Sequence, residues 1–256
     1  MHTLSLGKHN ARIAAIRKAV QHGELTAEGL LPIEGPKLLE EAIRSGIEIL
    51  DVFLRRGVGL PGIPTGVAVY ELDAATFKSI QTTETSQGLI ALVRPPQFSL
   101  QDMLKTPAPV IAVLGRLQDP GNVGAILRIA ESFSATGCLA LTGTASVHNP
   151  KVVRSSAGSV FRLPHVWDLE IQTAGRKLRE AGIKLVGTSP AARQTIGMFD
   201  WRQPVAMFIG NEGQGMSEAE VAACDDMVRI PQNPAVDSLN SAVAAAIILY
   251  EARRSS

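Results

Sequence analysis

The sequence predicts an α/β fold in two domains, a small one over residues 1–104 and a larger one over residues 105–256. Three observations predict it. Short apolar runs of strand length alternate with segments of helical period along most of the chain. Two proline-marked stretches, V-R-P-P-Q-F-S from Val93 and K-T-P-A-P from Lys105, bracket a linker between the halves. Near the end of the chain, two strands each run into a glycine- or proline-marked turn and then a helix, which places two loops where a ligand can be met.

In the first half, residues 11–22 form a short helix with Ile13, Ile16 and Val20 on one side and Arg12, Arg17 and Lys18 elsewhere. It suits a lid, a substrate-facing element or a solvated surface helix equally. Residues 30–34 form a strand, Gly35 and Pro36 open a helix through Leu38, Leu39, Ala42 and Ile43, and residues 47–54 form a second strand, a small βαβ unit. A strand at 67–72, a helix from about Ala74 and a strand at 89–93 continue the alternation. Gly57, Gly59 and Gly62 spell the dinucleotide fingerprint G-x-G-x-x-G. Its context fails, because Pro61, Pro64 and Gly66 lead into the β-branched run around Val67 and Val69 where a helix should open toward a pyrophosphate. A nicotinamide-dependent dehydrogenase would need that motif to work.

In the second half, residues 110–114 form a buried strand, and Asp119, Pro120, Gly121 and Asn122 turn it into a helix containing Ile126, Leu127, Ile129, Ala130 and Phe133. A strand at 138–141 follows. His148, Asn149 and Pro150 then introduce K-V-V-R-S-S-A-G-S-V-F-R, whose small residues suit either plain helix packing or an anion cradle at a helix N-terminus. A helix at 170–181 and strands at 183–188 and 205–209 lead to Gly210-Asn211-Glu212-Gly213-Gln214-Gly215, either a ligand loop or a simple connection to the short helix beyond. A strand at 227–230, a turn through Pro231 and Pro234, and Asp237 and Ser238 as candidate caps introduce an alanine-rich helix over 239–254. Glu212 and Asn240 are polar groups among apolar runs, where burial would demand a partner or a ligand.

Composition bounds the function. A formal net charge of +1 argues against a general polyanion-coating protein, yet the charge is uneven. Residues 105–202 carry twelve Lys/Arg against six Asp/Glu and residues 203–256 three against seven, compatible with a polyanion on one face or with an inconsequential solvated pattern. Cys138 and Cys224 stand far apart with no His/Cys cluster, and His148 and His165 are isolated, so neither a disulfide framework nor a metal site is expected. No apolar run reaches membrane-span length and the first ten residues lack a signal-peptide core, which points to a cytoplasmic protein.

Three motifs carry a resemblance. D-P-G-N-V-G-A-I-L-R-I-A from Asp119, N-E-G-x-G from Asn211, and I-P followed by S-L-N at Ser238–Asn240 resemble the three motifs of the SpoU (TrmH-like) branch of the SPOUT superfamily, RNA ribose 2′-O-methyltransferases that use S-adenosylmethionine. I-E-G-P-K-L-L-E-E-A from Ile33 and S-Q-G-L-I-A-L-V from Ser86 are similar to the substrate-binding domain that precedes the catalytic one in many such enzymes. The chain departs from the family pattern after Ile230-Pro231, with Gln232 and Pro234 where many relatives have methionine and glycine.

The resemblance implies a parallel α/β domain with a C-terminal trefoil knot, an exception to the rule against knotted chains, and a homodimer paired through that domain. Val243, Ile247 and Ile248 of the closing helix would contribute, unless they serve the intramolecular core. It implies S-adenosylmethionine bound against Thr188, Gly210, Asn211, Gly213, Ile230 and Leu239, and RNA phosphate held by Arg154 and Ser156. The catalytic set would be Arg128, Asn122, Glu212, Ser238 and Asn240. The family reading gives the arginine a part in deprotonating the ribose hydroxyl; a guanidinium holds its own proton so firmly that orienting the nucleotide and stabilising alkoxide charge is the alternative. The two-domain layout is more similar to enzymes acting on ribosomal RNA of the 23S type than to those acting on tRNA. A catalytically silent RNA-binding protein on this scaffold would have lost the signature polar residues, and all are present.

Overall fold

The computed structural model describes residues 4–59, 62–211, 213–233, 235 and 238–254. Glu212, Pro234 and Asp237 therefore lie outside the described residues. The chain folds as two units, one of residues up to 97 together with 146–162, the other of residues 98–145 together with those from 163 onward. The first boundary thus falls earlier than the 104/105 division expected from the prolines, and the basic small-residue segment belongs with the first unit.

In the first unit, β1 (Leu4–Ser5), α1 (Ala11–His22), β2 (Leu31–Glu34), α2 (Pro36–Arg44), β3 (Ile49–Arg55), β4 (Ala68–Leu72), α3 (Ala74–Lys78) and β5 (Leu89–Val93) build a sheet of order β1-β4-β3-β5-β2. β5 is apolar and buried at every position, and it pairs antiparallel with both β2 and β3. The expected βαβ unit is accordingly split. α2 joins two strands that point the same way but do not touch, because the most apolar strand of the unit takes the central place between them. Ile13 and Ile16 of α1 pack against Phe53, Tyr70, Phe77 and Ile90 on one face. None of the described residues between β3 and β4 is helical, so Gly57, Gly59 and Gly62 have no helix N-terminus to aim at a ligand.

The second unit begins with α4 (Leu100–Met103), β6 (Val110–Leu114), α5 (Pro120–Ser132) and β7 (Gly137–Leu141). The chain then returns to the first unit for α6 (Pro150–Ser155) and a 3-10 turn at Ser159–Phe161. There Val152, Val153, Val160 and Phe161 are buried, Arg154 donates to Thr82 Oγ1 (2.7 Å), and Arg162 donates to Glu41 (2.8 Å) and Ser45 (3.1 Å). These contacts explain why 146–162 groups with residues so distant in sequence.

The second unit is completed by β8 (His165–Leu169), α7 (Ile171–Glu180), β9 (Lys184–Thr188), β10 (Gln194–Thr195), a 3-10 turn at Ile196–Met198, β11 (Val205–Ile209), α8 (Glu218–Ala223), β12 (Asp226–Arg229) and α9 (Ser241–Arg254). All pairings in its seven-stranded sheet, of order β10-β12-β9-β11-β6-β7-β8, are parallel. β6 and β11 pair in register from Val110 with Val205 to Leu114 with Ile209, so they end level. Loops leaving neighbouring strands at one edge of a parallel sheet form a crevice beyond the carboxyl ends, the usual ligand position in such sheets. Strands buried on both faces need continuous apolar sequence, and β7 and β11 have it throughout. No helix among the described residues is long and apolar enough to cross a membrane.

Candidate active site

A cleft of about 420 Å³ opens beyond the carboxyl ends of β9, β11 and β12. Thr188 closes β9, Gly210, Asn211 and residues 213–216 follow β11, Ile230 and Gln232 follow β12, and Ser238, Leu239, Ser241 and Ala244 bring in the start of α9. All six residues expected to meet a cofactor, Thr188, Gly210, Asn211, Gly213, Ile230 and Leu239, line this one cleft. So does Ser238, expected in the catalytic set. Among the described lining residues none is charged; Ile209, Met216, Ile230 and Leu239 supply apolar surface beside uncharged polar side chains and the bare backbone of the glycines.

The loop after β11 is held by its own polar groups. Asn211 Oδ1 accepts from the backbone N–H of Gly213 (3.0 Å) and Gln214 (3.1 Å), while its Nδ2 donates to the carbonyl of Arg116 (2.8 Å). Asn211 and Gly215 also exchange backbone hydrogen bonds. Gly215 has φ +64°, a left-handed conformation that glycine adopts without strain. A Cβ added at Gly210 would come within 3.1 Å of the Gly215 backbone, so the loop closes tightly only because that position is bare. Thr188 Oγ1 donates to the Phe208 carbonyl (3.1 Å), fixing the β9 side of the cleft.

The first and third motifs meet directly. Asn240 Nδ2 donates to Asn122 Oδ1 (3.1 Å), and Asn240 Oδ1 accepts from the N–H groups of Ala242 (2.9 Å) and Val243 (3.2 Å). Asn240 is therefore the cap of α9, in place of Ser238, and the helix starts two residues later than expected because a cap must lie outside it. Asn240 is exposed rather than buried; its partner is Asn122 and its own helix. α5 and α9 pack along each other, and α5 is capped by Asp119, whose carboxylate accepts from the Gly121 N–H (2.9 Å).

Asn122 and Asn240 stand beside the cleft without lining it, and three further expected site residues lie away from it. Arg128 is exposed on α5, and among the described residues its guanidinium makes no hydrogen bond or ion pair. Six residues at 100° each turn it about 120° around the helix from Asn122, so the two do not share a face. Arg154 lies in the first unit, where its donation to Thr82 joins a network in which Thr82 and Thr83 donate to Glu34. Burial pushes the Glu34 carboxyl up, but hydrogen bonds from Ser86, Thr82 and Thr83 outweigh it and hold the group below the usual glutamate value. Ser156 is a correction. It is fully buried and its hydroxyl donates to the Val153 carbonyl (2.8 Å), so it is a packing residue with no face to offer a phosphate.

Sequence reasoning missed Arg116 and Glu220. Arg116 Nε and one terminal nitrogen donate to the two carboxylate oxygens of buried Glu220 (2.9 and 3.0 Å), and Glu220 closes a capping box with Ser217 at the start of α8. The S-x-x-E spacing from Ser217 to Glu220 signals the cap; nothing local signals the arginine. Both cysteines are free, and burial, reinforced by the charges of Asp225 and Glu220, pushes the Cys224 thiol up to about 12. No cluster of metal-ligating side chains occurs among the described residues.

Residues 109–250 match the model of the SpoU rRNA Methylase family, more than half of the chain. The chain belongs to this family. Residues 10–91 of the SpoU chain also match the MRM3-like substrate binding domain. It is 29% identical to the 23S rRNA (guanosine(2553)-2′-O)-methyltransferase RlmP of Bacillus subtilis over 95% of this chain and 96% of that one. It is 38% identical to the 23S rRNA (uridine(2479)-2′-O)-methyltransferase of Streptomyces viridochromogenes, over 68% of this chain and 62% of the other. Among solved structures, the SpoU methyltransferase AviRb from Streptomyces viridochromogenes in complex with the cofactor AdoMet superposes with a TM-score of 0.81 at 28% identity, covering 96% of this chain and 98% of that one.

Proposed function

We propose that this protein transfers a methyl group from S-adenosylmethionine to a ribose 2′-hydroxyl of RNA, with 23S-type ribosomal RNA as the substrate class. The observation that carries the reading is the convergence of three motifs on one edge of the parallel sheet: two line the cleft and the third is hydrogen-bonded to them through Asn122 and Asn240. The cleft volume falls within the range of about 300–1,000 Å³ usual for small-molecule sites. Its uncharged, backbone-edged lining suits an adenine between Ile230, Leu239 and the glycine loop. When bound, the cofactor supplies an electrophilic methyl on a sulfonium leaving group. The chain's part is to place the ribose oxygen in line with that methyl, and positioning of this kind supplies much of the rate in a displacement. Arg128, exposed and with no side-chain hydrogen bond or ion pair among the described residues, is available to an RNA phosphate or to developing alkoxide charge. Asn122, Glu212, Ser238 and Asn240 order the loops and the RNA side of the site, and Arg154 supports RNA binding from the first unit. The C-terminal loops are threaded as a trefoil knot, a reading that rests on family membership.

Labelled methyl transfer from S-adenosylmethionine to unmodified ribosomal RNA, run beside the same assay on tRNA, tests the substrate class. Modification should appear in 23S-type RNA as one nucleotide resistant to alkaline cleavage, and label confined to tRNA would reverse the assignment. Leu239→Asp should weaken cofactor binding at least tenfold, since a carboxylate with no charged partner among the described lining residues costs more than the roughly 1.4 kcal/mol that tenfold represents. Isothermal titration with S-adenosylmethionine measures it, and an unchanged isotherm would remove Leu239 from the site.

The protein is further read as a cytoplasmic homodimer. On α9, Val243 and Tyr250 are 48% and 54% exposed and Ile247 is half-buried, one helical stripe that touches the chain through the edge-on contact of Tyr250 with Phe133, whereas Ile248 is in the core. Light scattering should give twice the mass of the chain at micromolar concentration; a stable monomer there would end the dimer reading.

A further inference from the structure

We infer that Arg116 is a positioning residue for the cofactor loop, acting through Glu220, Asn211 and Gln214 without itself lining the cleft. The inference rests on the reading of the cleft as the S-adenosylmethionine site. A loop with three glycines in six residues loses much conformational entropy on ordering and has few side chains with which to anchor itself. Beyond the loop's own Asn211 side chain, one residue outside the loop anchors it. Arg116 follows the end of β6 with φ +57°, a conformation that a non-glycine residue keeps only where its surroundings fix it. Its carbonyl accepts from Asn211 Nδ2 at the start of the loop (2.8 Å), and its guanidinium approaches Gln214 Oε1 near the end (3.4 Å).

The same guanidinium makes the two-pronged contact with Glu220, whose side chain is 3% exposed against 33% for the arginine. Glu220 Oε2 in turn accepts from the Ser217 N–H (2.6 Å), where the loop enters α8. Strand end, loop and helix start are thereby tied to one planar group. A paired fork of this geometry is specific to arginine, because a lysine ammonium cannot hold two carboxylate oxygens and a third acceptor in one plane. The loop so held lines the cleft at Gly210, Asn211, Gly213, Gln214 and Gly215, whereas Arg116 does not.

The test uses the full chain with Arg116→Met, Arg116→Lys, Glu220→Gln and the double variant Arg116→Met/Glu220→Leu, which leaves no unpaired buried charge if the single variants fold poorly. Leu139→Ala, a core substitution outside the cleft, serves as a control that also lowers the melting temperature. Titration with S-adenosylmethionine and steady-state kinetics on ribosomal RNA are run for each. The expected result is a Kd and KM for the cofactor raised about tenfold in Arg116→Met and the double variant. In both, kcat at saturating cofactor should stay within about twofold, Arg116→Lys should recover little, and the control should bind as wild type. Wild-type affinity in Arg116→Met or in the double variant, or equal weakening in Leu139→Ala, overturns the proposal while leaving the cofactor reading intact. A wild-type protein that does not bind S-adenosylmethionine overturns that reading and the inference with it.

Discussion

Arg128→Ala is expected to lower methyl transfer by about 10²–10³-fold, the loss typical of removing one preorganised group that stabilises transition-state charge, while leaving cofactor affinity within a few fold. The structure makes this a clean experiment. Arg128 is exposed, lies off the cofactor cleft and makes no hydrogen bond or ion pair through its guanidinium among the described residues. Alanine is also the better helix former, so the fold should change by no more than about 0.5 kcal/mol. Any large effect must therefore come from the nucleotide or the transition state. Arg128→Lys separates two roles: little rescue means that a planar fork holds phosphate and hydroxyl together, and substantial rescue means that positive charge suffices. The measurement is labelled-methyl turnover on ribosomal RNA beside a binding isotherm for each variant. Wild-type turnover in Arg128→Ala would reduce Arg128 to an ordinary surface arginine.

The residues that could be read ahead of the structure are those whose role is local. β5, β6 and β11 have the bounds expected of them, because a strand buried on both faces needs an unbroken apolar run and cannot be mistaken for an amphipathic helix. β8, His165–Leu169, was not visible; it is an edge strand, half exposed along its length, with a sequence that alternates in neither period. β1 and β10 have two residues each and carry no pattern at all. The cleft could be anticipated because its lining comes from the first residues after three strands, a position that sequence marks with glycine and proline. What was hidden is pairing at a distance. The split of β2 from β3 by β5, the meeting of Arg116 with Glu220, and the capture of 146–162 by the first unit each depend on which segments touch, and no single window of sequence records that. Ser156 failed as an RNA contact for the same reason. A serine in a basic, small-residue stretch looks the same whether its hydroxyl faces solvent or its own helix carbonyl.

That capture changes what a domain deletion should do. A cut at the linker, removing residues 1–97, takes away the rest of the unit in which Val152, Val153, Val160 and Phe161 are buried and leaves their segment in the remaining chain. Re-exposing four such side chains costs about 1.5–3 kcal/mol each, comparable in sum with the whole stability of a domain. The simple deletion should therefore be aggregation-prone and bind a hydrophobic dye. Deleting residues 1–97 and also replacing 146–162 by a short Gly-Ser linker should instead give a cooperative thermal transition. Both attachment points are fixed within the second unit, where the Ala145 carbonyl accepts from Trp167 Nε1 (3.0 Å) and the Pro164 carbonyl accepts from the Cys138 N–H (2.9 Å). Because every described residue lining the cleft belongs to the second unit, this linker form should bind S-adenosylmethionine within a few fold of the full chain. It should modify RNA poorly, having lost the substrate-binding unit. Calorimetry and cofactor titration on the two forms decide the matter: if the simple deletion melts as cooperatively as the linker form, then 146–162 does not depend on the first unit for its fold.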